Sequence, residues 1–514
     1  MQRLTPSVRS SLVAEAAEAT QSAIHRWSLQ SLAAVNGGEI PDTLTPKQFV
    51  GKPKGYVRNH AAEVLLNDIR LRLAGQHDKV AKLLAQARDL LDDPLPVGAS
   101  DSVVAGVSRR GVVKAINNPV GMNMKQWTKD LEEADLIQGE SIRLLENLEV
   151  CHVDTYHLAH QLLPPGDGKN LKSRPDYLSR WSGADRAMVE AVFEQIRSRH
   201  ASSVETLAEV AIGLRRCRSL RNGDGHVLQP GYFCGIDLAL IDAFLKERLG
   251  VQLLCDHYVS LDKGKASGGI SVDCDLWDVL DDAVTEARHL CDANLGIAPE
   301  VNVDMGLMKC FPFDEQDGIL GEPVDESIDK SKVNLTLIRP WVHHALVEVL
   351  KNAMGSSVKR ALRDNPGEAV HPPDVHVRIV NTEHYFSIII IDNGAGLDKD
   401  SAVRAFRFGD SSSPRRWDRL DEQQTYAMVR APLGSLGVGL PLSRMMLRMF
   451  GGNLILSNRF SPCSIAEEEA GNSGDLSGCV AALKVLKDDG FIEGNSPPLF
   501  SAGDSDHTLR QAHS

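Results

Sequence analysis

The chain has 514 residues, 42% hydrophobic and 24% charged, an ordinary globular composition too long for a single core. Its net charge of −13, with no sustained basic stretch, argues against a general nucleic-acid binder. No apolar run approaches the roughly 18 residues that span a bilayer, and nine scattered cysteines without C-x-x-C spacing argue against zinc and for reduced thiols inside a cell.

In chain order, the segment from Met1 to Ser11 is basic, rich in hydroxyls and free of acid until Glu15. That is the make-up of a mitochondrial presequence, so residues 1–40 are expected to be a presequence and flexible N-terminus. From about 45 to 294 the apolar period is helical, with expected helices at 61–73, 80–91, 188–197, 204–214 and 236–261. In the last of these, Leu240, Ile241, Phe244, Leu245, Leu249, Val251 and Leu254 recur at three and four. Several long helices broken by Gly, Pro, Ser and Asp at 93–102, 164–175 and 222–232 imply a helical bundle over 41–295.

Around 311–333 the composition turns acidic and loop-like, and the period then changes. Residues 376–380 alternate as a half-buried strand, 386–391 read as a central strand, and 454–456 and 479–486 supply two more. Helices at 341–362 and 439–450 interleave with them. Residues 296–490 therefore read as an α/β sandwich with a mixed sheet, which makes the whole chain α+β with two domains. The stretches 459–478 and 487–514 are polar, and 491–514 is expected to be a flexible tail.

The chemistry-bearing residues fall in three blocks. On the helix at 341–362, Trp341, Val342, Ala345, Leu346, Val349, Leu350, Ala353 and Met354 form the apolar face. His344, Glu348 and Asn352 make a polar ridge at intervals of four along its edge. The second block is Asp392-Asn-Gly394-Ala-Gly396-Leu397 at a strand end, where glycine permits a tight turn. The third is Leu436-Gly437-Val438-Gly439-Leu440 entering a helix, whose orphan N–H groups favour anions. Each block alone is commonplace, and neither a P-loop nor a dinucleotide-binding G-x-G-x-x-G is present.

Together, in this order, the blocks resemble the GHKL superfamily of ATP-binding domains, found in histidine kinases, type II topoisomerases and mismatch-repair ATPases. They are most similar to the mitochondrial 2-oxo acid dehydrogenase kinases, the pyruvate and branched-chain forms. The residues that carry this closer resemblance are His344-x-x-x-Glu348-x-x-Lys351-Asn352-Ala353-Met354, Ser411-Ser412-Ser413-Pro414, Ala431-Pro432-Leu433, and Leu436 through Pro441 with Ser443-Arg444. Upstream, Thr45-Pro-Lys-Gln-Phe49, the run Ile196 to Val204 and the run Lys246 to His257 echo that family's helical regulatory region.

The resemblance implies ATP and Mg²⁺ as cofactors, with Asn352 as the metal ligand and Lys351 beside it in the nucleotide site. It implies Asp392 as the acceptor for the adenine amino group, with Gly394, Gly396 and Leu397 allowing close approach and Ser477 near adenine. Ser411 and Ser412 would stand at the base of a lid running from about 407 to 436, and Leu436, Gly437, Val438, Gly439 and Leu440 would close over the phosphates. Glu348 is the implied general base, tuned by His344 one turn earlier. The implied function is an ATP-dependent protein serine kinase of the mitochondrial matrix that phosphorylates and inhibits the E1 α subunit of a 2-oxo acid dehydrogenase. Its implied partners are that subunit, an E2 lipoyl domain and a second copy of the chain. Departures from the family pattern occur at Gly355, Ser435 and Leu476-Ser477-Gly478. Two other readings stay open: a histidine kinase whose phosphoacceptor is His200 on a bundle helix, and a GHKL ATPase or nucleotide-gated binding module.

Overall fold

In a computed structural model of the chain, the described residues are Leu32, 54–89, 124–162, 183–222, 238–262, 269–304, 334–366, 371–381, 384–397, 404–409, 437–458 and 478–490. Among the described residues the first long helices are α1 (Lys54–Asp89), α2 (Met124–Leu162), α3 (Gly183–Arg199), α4 (Ser203–Asn222) and α5 (Leu238–Asp262). Helix α1 packs on α2 and α5, α2 also on α3 and α4, and α3 on α5. Their apolar stripes meet in one core that includes Leu66, Ile69, Leu73, Tyr156, Phe193, Phe244 and Leu254.

The two helices expected at 61–73 and 80–91 are one continuous helix. Gly75 does not break it, because the space its missing Cβ leaves is taken by the neighbouring helix: an added Cβ would lie 2.8 Å from Glu247 Oε2. Glu247 also accepts a 2.6 Å bond from Lys79. Gly75 is thus a packing glycine within a helix.

Strand β1 (Ser271–Asp275) leads directly into α6 (Leu276–Leu295). Asp275 caps this helix through a 2.9 Å bond from Trp277 N–H, and Gly296 ends it with φ of 76°. The sequence had placed α6 in the bundle, within 41–295. Its buried residues Leu276, Val279, Leu280, Ala283 and Ala287 pack instead in a second core, with α7 (Arg339–Asp364) and the sheet.

That sheet has five strands in the order β2-β4-β5-β7-β6, namely β2 (Val301–Asp304), β4 (Val375–Asn381), β5 (Tyr385–Ile391), β7 (Cys479–Leu486) and β6 (Asn453–Asn458). Only β2 and β4 run parallel, with Val301 opposite Val375, so the sheet is mixed. The remaining strand, β3 (Asn334–Leu337), pairs antiparallel with β1. Helix α7 lies against β4, β5 and β7, while α8 (Gly439–Met449) covers β6 and β7.

Helix α8 divides its side chains between the two cores. Met445, Met446 and Met449 join the bundle's core together with Trp341 and Phe408, and Leu447 joins the sheet's core. This helix therefore stands with one flank on the bundle and the other on the sheet. No helix among the described residues is long and apolar enough to cross a membrane.

Candidate functional site

Helix α7 begins with Pro340 in its first turn, where a missing N–H costs nothing. Its apolar face is buried as the periodicity requires, from Trp341 to Ala361. The polar ridge runs along the edge of that face and continues at the same interval of four through Ser356 and Arg360.

Glu348 is 16% exposed and its Oε1 accepts a 2.5 Å ion-paired bond from Lys351 Nζ, itself 13% exposed. The other carboxylate oxygen packs against the first turn of α8: a Cβ added to Gly439 would lie 1.8 Å from Glu348 Oε2. A side chain there would have to displace the Glu348 carboxylate. Asn352, one turn further along α7, is exposed. His344 is held below its ordinary pKa chiefly by burial, and its Nε2 is enclosed without a hydrogen-bond partner. The neutral ring lies one turn from Glu348, whose charge opposes that lowering, but the carboxylate's close partner is Lys351.

Two turns beyond Glu348, roughly 12 Å along the helix axis, α7 holds the Asp392 turn. Asp392 is 5% exposed. Its Oδ1 accepts from Gly394 N–H at 2.8 Å and from Cys479 N–H at 3.1 Å, so the carboxylate is fixed between its own turn and strand β7. Asn393 N–H donates to Ser357 Oγ at 3.4 Å, and Arg360 Nη1 donates to the carbonyls of Asn393 and Gly394 at 3.3 and 3.2 Å. Gly394 leaves no room for a side chain: its Cβ would fall 1.8 Å from Ser356 Oγ. Gly478 is equally tight, since with φ of 147° its Cβ would fall 2.2 Å from the Asp392 carbonyl oxygen. Gly396 adopts φ of 76°, which favours glycine, and Leu397 follows half-buried.

Gly437, Val438, Gly439 and Leu440, the residues expected to close over phosphates, are all half-buried at the start of α8, with Gly437 at φ of 64°. Gly409 N–H donates to Gly437 O at 3.0 Å, which brings together the residues flanking 410–436. Ser411, Ser412, Leu436 and Ser477 lie outside the described residues, as does most of the expected lid.

One helix thus carries an acid against a glycine at a helix start, an exposed amide in the middle, and a clamp on the backbone of the turn that follows Asp392. Spacing exposed the first half of that ridge. It missed Ser356, Ser357 and Arg360, although continuing the interval of four from His344 reaches both Ser356 and Arg360.

The residues fit a nucleotide with its metal. The orphan N–H groups at the start of α8 favour an anion, and the anchored Asp392 can accept from an amino group. Among the described residues no cluster of three or more His, Cys, Asp or Glu could hold a metal ion. Any Mg²⁺ at Asn352 would therefore take most of its ligands from phosphate and water, as this hard cation ordinarily does.

His200 is not on a helix surface. It occupies the turn between α3 and α4, 1% exposed, and its Nε2 is 2.8 Å from Thr155 Oγ1. Its carbonyl accepts from Arg248 Nη2 at 2.7 Å, and its ring meets His152 edge-on at 4.4 Å. Burial drives its pKa down to about 2. A histidine so enclosed cannot receive a phosphoryl group while the bundle is folded.

Comparison with known proteins gives relatives named as mitochondrial pyruvate dehydrogenase kinases. The probable pyruvate dehydrogenase (acetyl-transferring) kinase of Caenorhabditis elegans is 26% identical over 268 residues, 51% of this chain and 57% of its own length. The enzyme of Ascaris suum is 25% identical over 295 residues, covering 56% and 62%. Isozyme 4 of Ictidomys tridecemlineatus is 26% identical over 298 residues, covering 57% and 59%. The chain thus spans less than two thirds of the length of these relatives. Among solved structures, the mycobacterial sensor histidine kinase MprB aligns over 41% of this chain and 95% of its own, with 15% identity and a TM-score of 0.24, too low to bear on the fold. No family model matches the chain. The relatives' names agree with the family that the motifs resemble, at low identity and over about half the chain.

Proposed function

We propose that this chain is an ATP- and Mg²⁺-dependent protein serine kinase of the mitochondrial matrix, with a helical regulatory domain followed by a GHKL-type ATP-binding domain. Its substrate is the E1 α subunit of a 2-oxo acid dehydrogenase, pyruvate or branched-chain, which phosphorylation switches off. The bundle docks on an E2 lipoyl domain, and the chain works as a homodimer. The observation that carries the reading is α7 itself, which meets the α8 glycine through Glu348 and the Asp392 turn through Ser357 and Arg360. Relatives named pyruvate dehydrogenase kinases supply the substrate class.

Bound ATP supplies the γ-phosphoryl group, and its Mg²⁺ neutralises charge on the phosphates. Asp392 would hold the adenine, Asn352 would offer a neutral oxygen to the metal, and the N–H groups at the start of α8 would bind the phosphates. Glu348 accepts the proton of the incoming serine hydroxyl as the oxygen–phosphorus bond forms and the bond to the departing diphosphate breaks. Lys351, paired with Glu348 when no substrate is present, stays close enough to stabilise the carboxylate. His344, neutral at physiological pH, adds no competing positive charge behind that base.

The test is incubation with radiolabelled ATP and each E1 heterotetramer, alongside phosphate release without E1. Asn352→Ala is expected to lose Mg²⁺-ATP binding. Glu348→Gln is expected to keep binding and lose at least about a hundredfold in transfer, the usual scale for general-base removal. Transfer by Glu348→Gln at the normal rate would remove the base assignment. Phosphate release that ignores E1 would make the protein an ATPase instead.

A further inference from the structure

A buried arginine of the bundle reaches the backbone beside the start of α8. Arg215 lies on α4, 6% exposed, and its Nη2 donates to the carbonyl oxygen of Gly409 at 2.9 Å across 194 residues of sequence. Gly409 in turn donates its N–H to Gly437 O at 3.0 Å. A guanidinium in the bundle is thus one residue removed from the backbone that opens the phosphate loop.

Gly409 is shaped for this contact. Its φ of 74° is one that side-chain-bearing residues rarely adopt, and a Cβ there would touch Ala211, Ile212 and Arg215, each at 3.5 Å. The next residue back, Phe408, is buried in the bundle's core, whereas Phe406 is buried in the sheet's core. The chain therefore crosses from one core to the other within three residues, and Arg215 fixes the crossing point.

The start of α4 is also tied down. Ser203 Oγ donates to His200 O at 2.5 Å, and Arg248 Nε donates to Ser203 Oγ at 3.0 Å. Twelve residues of helix, about 18 Å, separate this buried polar cluster from Arg215. The helix is continuous between these two points, so a displacement of α4 at Ser203 is carried to Arg215 and Gly409.

We infer that Arg215 is a positioning residue for the nucleotide site, setting the Gly437–Leu440 loop from the bundle through Gly409. It touches no reacting atom in this scheme. This deepens the nucleotide reading above and rests on it. Because the contact runs through backbone atoms of Gly409, Arg215 and Gly409 act as one unit rather than as two separate supports.

The experiment is a double-mutant cycle on the full chain, read by calorimetric titration with a non-hydrolysable ATP analogue and Mg²⁺ and compared with denaturant unfolding. Arg215→Met and Gly409→Ala are each expected to weaken nucleotide affinity on the order of ten-fold, the loss of one charge-assisted hydrogen bond. The double variant is expected to lose little more than either single one, because both remove the same link. Arg215→Lys, which keeps a cationic donor, is expected to restore most of the affinity. Losses that multiply in the double variant, or an Arg215→Met chain that binds as tightly as wild type, overturn the inference while leaving nucleotide binding intact. A wild-type chain that binds no nucleotide overturns the reading beneath it instead.

Discussion

At Gly394 a single hydrogen in place of a methyl group decides whether the Asp392 turn can close. With a Cβ 1.8 Å from Ser356 Oγ, Gly394→Ala must push the turn off α7, and with it the amide that donates to Asp392 Oδ1. Loss of nucleotide affinity by at least about ten-fold is expected, the scale of one hydrogen bond to a charged group. Adding Ser356→Gly to the same chain removes the obstructing Oγ and Cβ and is expected to recover much of it. Unimproved binding in the double variant would show that the clash is not what matters. Only part of this arrangement was legible in the sequence. His344, Glu348 and Asn352 stand out because helical spacing aligns them, and Asp392 because glycines follow it. The Cys479 N–H that completes the Asp392 bonds is a backbone group 87 residues away, which leaves no side-chain signature.

Among the helices, two glycines separate local propensity from tertiary packing. Gly139 on α2 is exposed and has nothing within 4 Å of an added Cβ, so Gly139→Ala should stabilise the chain by roughly 0.5–1 kcal/mol through reduced backbone entropy. Gly250 on α5 reverses the sign. Its Cβ would fall 1.8 Å from Nη1 of Arg72, which is fully buried and paired with Asp68 at 3.2 Å. Gly250→Ala should therefore destabilise by roughly 1–3 kcal/mol, the usual cost of overpacking. Denaturant midpoints for the pair test the contrast, and a shift in the same direction for both would contradict the packing described. Element type was readable from periodicity: the strand at 479–486 and the helices near 341–362 and 439–450 stand where the pattern puts them. What periodicity could not show was that α1 runs through Gly75, or that α6 leaves the bundle for the sheet. Both depend on which surface each helix meets.

Over the whole chain, buried histidines tie stability to pH. Burial lowers His152 and His257 to about 4 and His200 to about 2, each from 6.5. The unfolded chain takes up these protons near 6.5 and the folded chain does not. Their contribution is thus fully present above that pH and is lost on acidification, by up to ~1.4 kcal/mol per pH unit for each group. Arg248, beside His152 and His200, adds to the lowering in both. Unfolding free energy should fall steeply between about pH 6.5 and pH 4, and a His200→Gln chain should show a shallower slope in urea titrations. A profile flat across that window would exclude this origin. The alternation of helical and strand periods gave the α+β class, but nothing in it orders the strands. That order places β7, the last of the described strands, in the interior between β5 and β6, with Ile391 opposite Val480 and Asn458 opposite Cys479. During synthesis on the ribosome, two apolar borders therefore wait without partners until the segment after residue 478 has left the exit tunnel. Exposed borders of this kind are what chaperones bind and what self-association exploits. A nonsense codon shortly before Cys479 would not trim a tail but split the sheet, leaving a product destined for aggregation or degradation.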